Sequence, residues 1–308
     1  MNLRSVSRIV VGVLGVCSLL AIAGCSRDHI EAINLSNEGD KAFKVNVEGA
    51  ISKYEQATQL DPTNHAILWK LAKAYERKED WDKVASTASR AVQIAPEFAN
   101  YWYKRGYALM QLARAGDKDR YEEAKEPLKK CIEKDPNYAE CYHELAEANL
   151  WTDDLQGAVE NYSKSIEHDP TIGYFYPPLG DIYVTLRLYD DAEKVLNEAI
   201  RILEPTEKNA NYLHGAYVLL AKVKQAKGDT AGMISSLEKA SELGGDKHAE
   251  DKFFLGAAYA TKDPPDKEKA VRLLNSFSKT SCRGPKAQQF KDQCTASQDL
   301  IQKLGGSN

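Results

Sequence analysis

The chain has 308 residues, of which 43% are hydrophobic and 28% charged, and its formal net charge at pH 7 is −4. This balance is typical of a soluble folded protein and excludes an intrinsically disordered chain. The negative charge, together with the lack of a basic stripe interleaved with aromatic residues, argues against a nucleic-acid partner.

The N-terminal segment predicts export. Arg4 and Arg8 give it a positive start, and an apolar run of 15 residues follows over Ile9–Ala23. A helix that spans a bilayer needs about 20 apolar residues. The run is therefore interpreted as a secretory signal rather than as a membrane anchor.

The end of this segment, IAGC, resembles the lipobox of bacterial lipoproteins. The resemblance implies that residues 1–24 are a signal peptide that is removed, and that lipid is then attached covalently to Cys25. An ordinary signal peptide that happens to end in cysteine is the alternative. Ser26 rather than aspartate follows, which by the sorting rule of Gram-negative bacteria implies the periplasmic face of the outer membrane. Residues 25–31 would then form a tether of about 25 Å, which keeps the folded part close to the membrane.

The stretch His65–Pro96 predicts a helix hairpin. Its apolar and small residues recur three and four positions apart in two sets, as they do on one face of a helix. A charged turn, Arg77–Asp80, separates the sets, and proline closes the unit because it has no N–H with which to continue a helix. The two sets are Leu68, Leu71, Ala72 and Tyr75, and then Val84, Ala88 and Ala91.

The hairpin recurs along the chain. Pro62 and Pro96 are 34 residues apart, as are Pro136 and Pro170, while a six-residue insertion lengthens the interval between the two pairs. These units resemble tetratricopeptide repeats, which have large and small residues at fixed places and a closing proline. Seven of them cover residues 32–279. The residues that match the family's pattern include Leu68, Leu71, Ala72, Tyr75, Ala91 and Pro96, then Trp102, Gly106, Ala124, Leu128 and Pro136, and then Tyr142, Leu145, Ala146, Ala158, Tyr162 and Pro170.

The resemblance implies an all-α fold, a right-handed superhelical α-solenoid of about seven hairpins. Length alone would suggest two domains, whereas each unit of a solenoid buries its apolar face against its neighbours. Residues 280–308 follow the last repeat. Within them, Pro285–Leu304 is predicted to form one amphipathic helix that caps the open end of the solenoid, followed by a short tail.

Two repeats depart from the pattern. The insertion AGDKDRYEE lengthens the turn of the third repeat, and it is either a solvated loop or a docking surface. In the fifth repeat, Pro177 and Pro178 fall where the helix interior would be, so this helix is expected to start late, near Tyr176. The preceding residues are expected to form an extended lead-in. Its aromatic rings either pack on the previous helix or form an apolar edge for a partner.

Four cysteines lie in the part predicted to fold, and pairing is expected because an exported protein meets an oxidising compartment. Cys131 and Cys141 stand five residues on either side of Pro136, at the same height on adjacent helices, which favours a disulfide. Cys282 and Cys294 can pair only if the chain between them folds back. The alternative for Cys131 is that it is merely the small residue that the repeat requires. No CxxC or His/Cys cluster is present, so no metal site is predicted.

The sequence gives little support for catalysis. Its six histidines are scattered, and the pair His143-Glu144 lacks the second histidine of an HExxH zinc motif. No GxSxG, P-loop or GxGxxG motif occurs in the part predicted to fold. We therefore predict a protein that is not an enzyme and has no cofactor apart from the covalent lipid on Cys25.

The resemblance places function in the concave groove that the first helices of the repeats line. Rigid aromatic residues flanked by a few charges are typical of peptide-binding hot spots. The alternative is that these aromatic residues only fill space between repeats. The asparagine of the family's carboxylate-clamp type is missing at the corresponding positions, so that class of ligand is not supported. The residues predicted to bind a partner are Trp69, Lys73, Arg77, Tyr103, Tyr107, His143, Glu147, Trp151, Tyr174 and Asp181.

These features together predict a membrane-anchored scaffold of the bacterial cell envelope that binds a protein or peptide. It is similar to the pilotins of type IV pilus secretins and to the repeat lipoproteins of gliding machinery, which implies a place in a motility, pilus or secretion complex. The alternative is an adaptor that recruits a peptidoglycan hydrolase or a protease to its substrate. The expected contacts are therefore a protein partner and, through the lipid, the membrane.

Overall fold

The computed structural model describes residues 27–245 and 247–305, and the lipidation site predicted at Cys25 lies outside them. Every regular element in the described residues is a helix, and no helix among them is long and apolar enough to cross a membrane. A 3₁₀ turn, Gly173–Phe175, precedes α9. The helices are α1 (residues 27–43), α2 (Val47–Leu60), α3 (His65–Arg77), α4 (Trp81–Ile94), α5 (Ala99–Arg114), α6 (Arg120–Lys134), α7 (Ala139–Trp151), α8 (Leu155–His168), α9 (Tyr176–Thr185), α10 (Tyr189–Ile202), α11 (Ala210–Ala226), α12 (Thr230–Gly244), α13 (Glu250–Thr261), α14 (Lys267–Ser281), α15 (Lys286–Gln289) and α16 (Lys291–Lys303).

Consecutive helices pack as hairpins, α3 with α4, α5 with α6, α9 with α10, α11 with α12 and α13 with α14. This confirms the all-α hairpin architecture that the repeat predicts. The chain divides into two compact units, and the division falls within α8, between Asn161 and Tyr162. The first unit contains α1–α7 and the second contains α9–α16. Each has a hydrophobic core of its own.

Proline and an aromatic donor fix the turns between hairpins. Pro62, Pro96, Pro136 and Pro170 all lie in such turns, outside the helices, as predicted. Six residues after each of the last three prolines, a side chain of the next helix donates a hydrogen bond to the proline carbonyl. This bond satisfies a backbone acceptor in the turn. The three bonds join Trp102 Nε1 to Pro96 O (2.8 Å), Tyr142 Oη to Pro136 O (3.0 Å) and Tyr176 Oη to Pro170 O (2.8 Å).

Within a hairpin, a glycine marks the closest approach of the two helices. A methyl group built on Gly106 would lie 2.7 Å from Leu128 Cγ, and one built on Gly180 would lie 2.6 Å from Leu196 Cδ2. Both distances are shorter than any van der Waals contact, and a packed interior has no spare volume to relieve them. The prediction that two helices nearly touch at Gly106 is confirmed.

Replacing Gly106 by leucine should lower the free energy of unfolding by about 1–3 kcal/mol, because the new side chain would overpack the contact with Leu128. Urea denaturation followed by circular dichroism measures this change. Gly215 is the matched control, since it lies within α11 and a methyl group there would have no neighbour within 4 Å. Gly215→Leu should leave the midpoint unchanged or raise it. Equal losses at both positions would contradict the packing argument.

The structure corrects two boundaries predicted from the sequence. Residues 27–31, which were predicted to be part of the tether, are helical and belong to α1. The lead-in to the fifth repeat is not extended but forms the 3₁₀ turn, although α9 does begin at Tyr176 as predicted. Phe175 is completely buried, and a compact turn rather than an extended strand brings its ring into the core.

The capping segment consists of two helices rather than the single one predicted over Pro285–Leu304. The chain leaves helical geometry at Phe290, between α15 and α16, with φ −108° and ψ 26°. There the Phe290 ring packs edge-on against Phe277, with the ring centres 5.9 Å apart. The second helix, α16, packs against α13 and α14, and its Ile301 is buried.

Both predicted cysteine pairs are disulfide-bonded in the structure. The Cα atoms of Cys131 and Cys141 are 6.3 Å apart, and those of Cys282 and Cys294 are 5.6 Å apart. The first bond joins the end of α6 to the start of α7, and both of its cysteines are completely buried. The second holds the lead-in of the capping segment against α16, where its cysteines are partly exposed.

Candidate functional site

Ion pairs in the first unit join consecutive first helices, which are the helices that open each hairpin. Lys70 Nζ of α3 lies 2.7 Å from Asp40 Oδ2 of α1, and Lys104 Nζ of α5 lies 2.6 Å from Glu76 Oε1 of α3. Arg114 of α5 in turn pairs with α7. We call the surface formed by α1, α3, α5 and α7 the first-helix face. It contains the residues of the first unit that the sequence predicted to bind a partner.

The chain's own side chains fill the gap between α3 and α5. Lys104 is 7% exposed, and its Nζ lies 5.5 Å from the centre of the Trp69 ring and 5.8 Å from that of Tyr107. The Tyr107 ring also packs edge-on against Trp81 of α4 at 5.7 Å. A cation held between aromatic faces and paired with a carboxylate is fixed in place. Trp69 and Tyr107 therefore pack around Lys104 in the gap between the two helices.

Tyrosine rings cover the junction of α5 and α7. The Tyr103 ring lies 5.6 Å from the Tyr107 ring and 5.1 Å from that of Tyr138, which stands just before α7. Burial raises the pKa of Tyr103, and it raises the pKa of Tyr138 to about 12. Both hydroxyls are therefore neutral at physiological pH. The junction offers a partly buried aromatic surface without charge.

Arg114 joins α5 to α7 through two carboxylates. Its Nη2 donates a hydrogen bond to Glu144 Oε2 at 2.7 Å, and its Nε donates one to Glu147 Oε1 at 2.9 Å. Burial raises the pKa of Glu144 to about 7, and burial lowers the pKa of the neighbouring His143 to about 4. His143 is therefore neutral at pH 7. The positive charge that compensates the two carboxylates is that of Arg114.

Trp151, at the end of α7, is 54% exposed and so is accessible to a partner. Its ring stacks on Tyr121 of α6, with the ring centres 5.2 Å apart and the planes 7° apart. Lys118 Nζ lies 5.8 Å from the centre of the same ring. Since Lys118 belongs to the insertion in the third repeat, the insertion and the end of α7 form one surface.

Two basic residues predicted for the groove, Arg77 and Lys73, also lie on α3. Arg77 Nη1 donates a hydrogen bond to the carbonyl oxygen of Phe43 at 2.8 Å, and the guanidinium lies over the Phe43 ring at 5.2 Å. Arg77 therefore fastens α3 to the end of α1. Lys73 is exposed to solvent.

Sequence reasoning missed Lys104 and Glu144, two of the residues that lock the first-helix face. Both are charged, and in a helical pattern a charged residue is interpreted as part of a solvated surface. One signal could have found them. Lys104 follows its partner Glu76 by 28 residues, and Glu144 follows Arg114 by 30, so opposite charges stand slightly less than one repeat apart.

In the second unit, an open pocket of about 390 Å³ lies between α11 and α13, above α12. Its volume is within the range of ligand-binding pockets. It was not predicted, and the residues that were predicted for this unit lie elsewhere. Tyr174 stacks on Tyr212 with the ring centres 5.5 Å apart, and Asp181 is exposed on α9. The residues that line the pocket include Val218, Lys222, Gln225, Met233, Phe254 and Ala257.

No cluster of three or more metal-ligating side chains occurs in the described ranges, 27–245 and 247–305. Depressions on α1 and on α6 are each lined by a single helix and are therefore open surface. The first-helix face and the pocket thus remain as the candidate binding surfaces. Both suit the recognition of a side chain or a chain segment.

These features define a class of protein, an all-α chain of successive helix hairpins, and in the first unit ion pairs join the first helices to one another. Three family models match the chain, one described as a TPR repeat over residues 46–78 and two described as a tetratricopeptide repeat over residues 101–138 and 179–202. The chain therefore contains tetratricopeptide repeats in these three segments. Proteins of this family generally mediate protein–protein interactions, and scaffolds made of the repeat are typically not enzymes.

Known proteins with the same fold span several organisms. The C-terminal part of a TPR repeat-containing protein from Cytophaga hutchinsonii is 17% identical, with a TM-score of 0.61, and the match covers 82% of this chain and 98% of that one. PilF of Pseudomonas aeruginosa is also 17% identical, with a TM-score of 0.56 over 70% of this chain and 93% of that one. At these identities the likeness concerns the fold alone.

Among curated proteins, the small glutamine-rich tetratricopeptide repeat-containing protein 2 of Mycosarcoma maydis is 31% identical over 111 residues. The match covers 36% of this chain and 30% of that protein. The chain thus spans about a third of the length of the curated relatives that it matches.

Proposed function

We propose that the protein is a lipid-anchored scaffold of the bacterial cell envelope, which binds a protein or peptide partner on the faces of its first helices. The observation that carries the proposal is the locked first-helix face, which ends at the exposed ring of Trp151. Ion pairs and stacked rings hold this surface rigid, so a partner loses little conformational entropy of the scaffold when it docks. Exposed aromatic residues on rigid elements are frequent hot spots of protein binding.

The membrane part of the proposal is supported by the sequence. The IAGC motif that ends at Cys25 overlaps the end of an apolar run that is too short to span a bilayer. A lipid on Cys25 would stand close to the start of α1 at residue 27. The proposed location is the periplasmic face of the outer membrane, and the proposed role is the assembly of a motility, pilus or secretion complex. PilF, a protein named for the pilus, shares the fold.

Replacing Cys25 by serine should release the protein from the membrane fraction, because acyl chains rather than the apolar run would hold it there. The test is expression of both forms in a Gram-negative host, followed by fractionation and intact-mass analysis. The original chain should be found in the membrane fraction with a mass that includes acyl chains and lacks residues 1–24. A serine variant that stays in the membrane with these residues attached would show that the segment is a transmembrane anchor.

Replacing Trp151 by alanine should weaken partner binding by about thirtyfold, which is typical of a hot-spot residue, while helicity stays unchanged. The partner is captured by crosslinking on intact membranes and identified by mass spectrometry, and the affinity for it is then measured by fluorescence anisotropy. Lys130→Ala is the control, since Lys130 lies on α6 and pairs with Glu133 of the same helix. A secretin or motility subunit would support the proposed complex, whereas a soluble hydrolase would favour the adaptor. Unchanged affinity in Trp151→Ala would remove this end of the face from the site.

A further inference from the structure

The pocket between α11 and α13 occupies the same place as the filled gap between α3 and α5. The first helices of the two units can be aligned on the small residue at which each one comes closest to the second helix of its hairpin. Three residues before it, α3 has Trp69 whereas α11 has Val218. One residue after it, α5 has Tyr107 whereas α13 has Ala257. The small residues from which the register is counted are Ala72 and Gly106 in the first unit and Ala221 and Gly256 in the second.

Two rings are thus replaced by small side chains, and the gap that they would fill is open. The base of the pocket is apolar, because Leu237 of α12 and the neighbouring Ala221 and Ala258 belong to the core of the second unit. Phe254 stands at the rim, in the place that Lys104 has in the filled gap, and it is 44% exposed. An apolar side chain that entered the pocket would extend the core and be removed from water.

One charged residue lines the pocket, and no carboxylate of the described chain pairs with it. Lys222 is exposed and forms no ion pair with any residue that the structure describes. In the filled gap, Glu76 holds the buried Lys104, but the corresponding residue of α11 is Gln225. No carboxylate of residues 27–245 and 247–305 occupies this site, so a partner can supply one. An unpaired ammonium beside an apolar cavity favours a partner that is both apolar and acidic.

We propose that this pocket binds an aromatic side chain of a partner protein, in a segment that carries an aspartate or glutamate next to the aromatic residue to pair with Lys222. The filled gap supports an aromatic side chain as the ligand, since the corresponding pair of helices, α3 and α5, accommodates the rings of Trp69 and Tyr107. The missing carboxylate supports the acidic neighbour. The inference rests on the proposed scaffold function and specifies the chemistry of its partner.

The test uses variants in which the pocket is filled by the side chains that fill the corresponding gap in the first unit. Ala257→Tyr introduces the residue that closes the gap in the first unit, and Val218→Trp fills the pocket from the opposite helix. A display library of random peptides is selected on the folded chain, and the affinity of the enriched peptides is measured by fluorescence anisotropy. Circular dichroism and thermal melting show which of the two variants is folded, and one folded variant is sufficient.

The enriched peptides should carry an aromatic residue next to an aspartate or glutamate. Their affinity should fall by about thirtyfold or more in the filled variant and by about fivefold in Lys222→Glu, since an exposed ion pair contributes little. Lys208→Glu, at an exposed lysine of the same unit, should leave the affinity unchanged. Enriched peptides that lack an aromatic residue, peptides that bind the filled variant equally well, or the absence of any enriched peptide would overturn the proposal.

Crosslinking on intact membranes, followed by identification of the partner, distinguishes a failure of this inference from a failure of the proposed function. If the filled variant recovers the same partner as the original chain, the scaffold function stands and the pocket is not its binding site. If the original chain recovers no partner, the proposed function itself fails. A second copy of this chain recovered through the pocket would contradict the acidic, aromatic partner proposed here.

Discussion

Replacing Arg114 by alanine should lower the free energy of unfolding at pH 8 by about 3–5 kcal/mol, because it leaves the buried carboxylate of Glu144 without its compensating charge. Glu144 is 6% exposed and accepts a hydrogen bond from the guanidinium at 2.7 Å. Urea denaturation at fixed ionic strength measures the loss.

The loss should shrink as the pH falls. The pKa of Glu144 is raised in the folded protein, to about 7 from an ordinary value of 4.5. Between these values the folded state binds more protons than the unfolded state, so this group makes stability fall as the pH rises through the window. Without Arg114 the pKa should rise further and extend the window to higher pH. Near pH 4.5 the carboxyl group is largely protonated in the folded state, and the variant should then lose little more than a hydrogen bond and packing.

Arg120 is the matched control, because it too bonds two carboxylates, those of Asp117 and Glu123. Both of these side chains are about half exposed, at 53% and 52%. Arg120→Ala should therefore lower stability by about 0–1 kcal/mol at any pH. If Arg114→Ala behaves like Arg120→Ala at pH 8, then the cluster on α7 is better solvated than its burial indicates.

Removing the Cys131–Cys141 disulfide should lower the free energy of unfolding by about 2–4 kcal/mol, mainly because the unfolded chain gains the freedom of an opened loop. The double variant Cys131→Ala and Cys141→Ala tests this, since two serines would place hydroxyl groups at positions that are completely buried. The comparison is by urea denaturation in a buffer without reductant.

The two disulfides should also differ in their response to reductant. Thiol exchange requires access to sulfur, and Cys131 and Cys141 have none in the folded state, whereas Cys282 and Cys294 are partly exposed. Mild dithiothreitol followed by alkylation should therefore label the second pair in the native protein and both pairs after unfolding. Labelling of the first pair in the native protein would show that the junction of α6 and α7 opens without global unfolding.

The hairpins could be predicted from the sequence because their signals are local. A helical period, a charged turn and a closing proline are read within a few residues of one another, and Gly106 marks a close approach for a simple steric reason. The break at Phe290 could not be predicted in this way. It coincides with a ring contact to Phe277 and with the Cys282–Cys294 disulfide, and neither contact follows from a helical period.

The candidate site was predicted less well, because its decisive features are relations between helices. Aromatic residues of the first helices were expected to face a partner, yet Trp69 and Tyr107 pack around Lys104, whose charge gave no sign of burial. The pocket was missed because it forms where two side chains, Val218 and Ala257, are too small to fill the gap between their helices. A search of the sequence for hot-spot residues finds aromatic side chains, but it cannot find a cavity that forms because aromatic side chains are missing.

The matching register of the filled gap and the open pocket has an evolutionary consequence. Duplication of a hairpin copies its backbone, so each new pair of first helices inherits the same space between them. Whether this space becomes structural interior or a recognition cavity depends on two side chains, the pair represented by Trp69 and Tyr107 in one copy and by Val218 and Ala257 in the other. A lineage could therefore gain or abandon a binding specificity in two point mutations, while the ancestral helices and turns remain under unchanged selection.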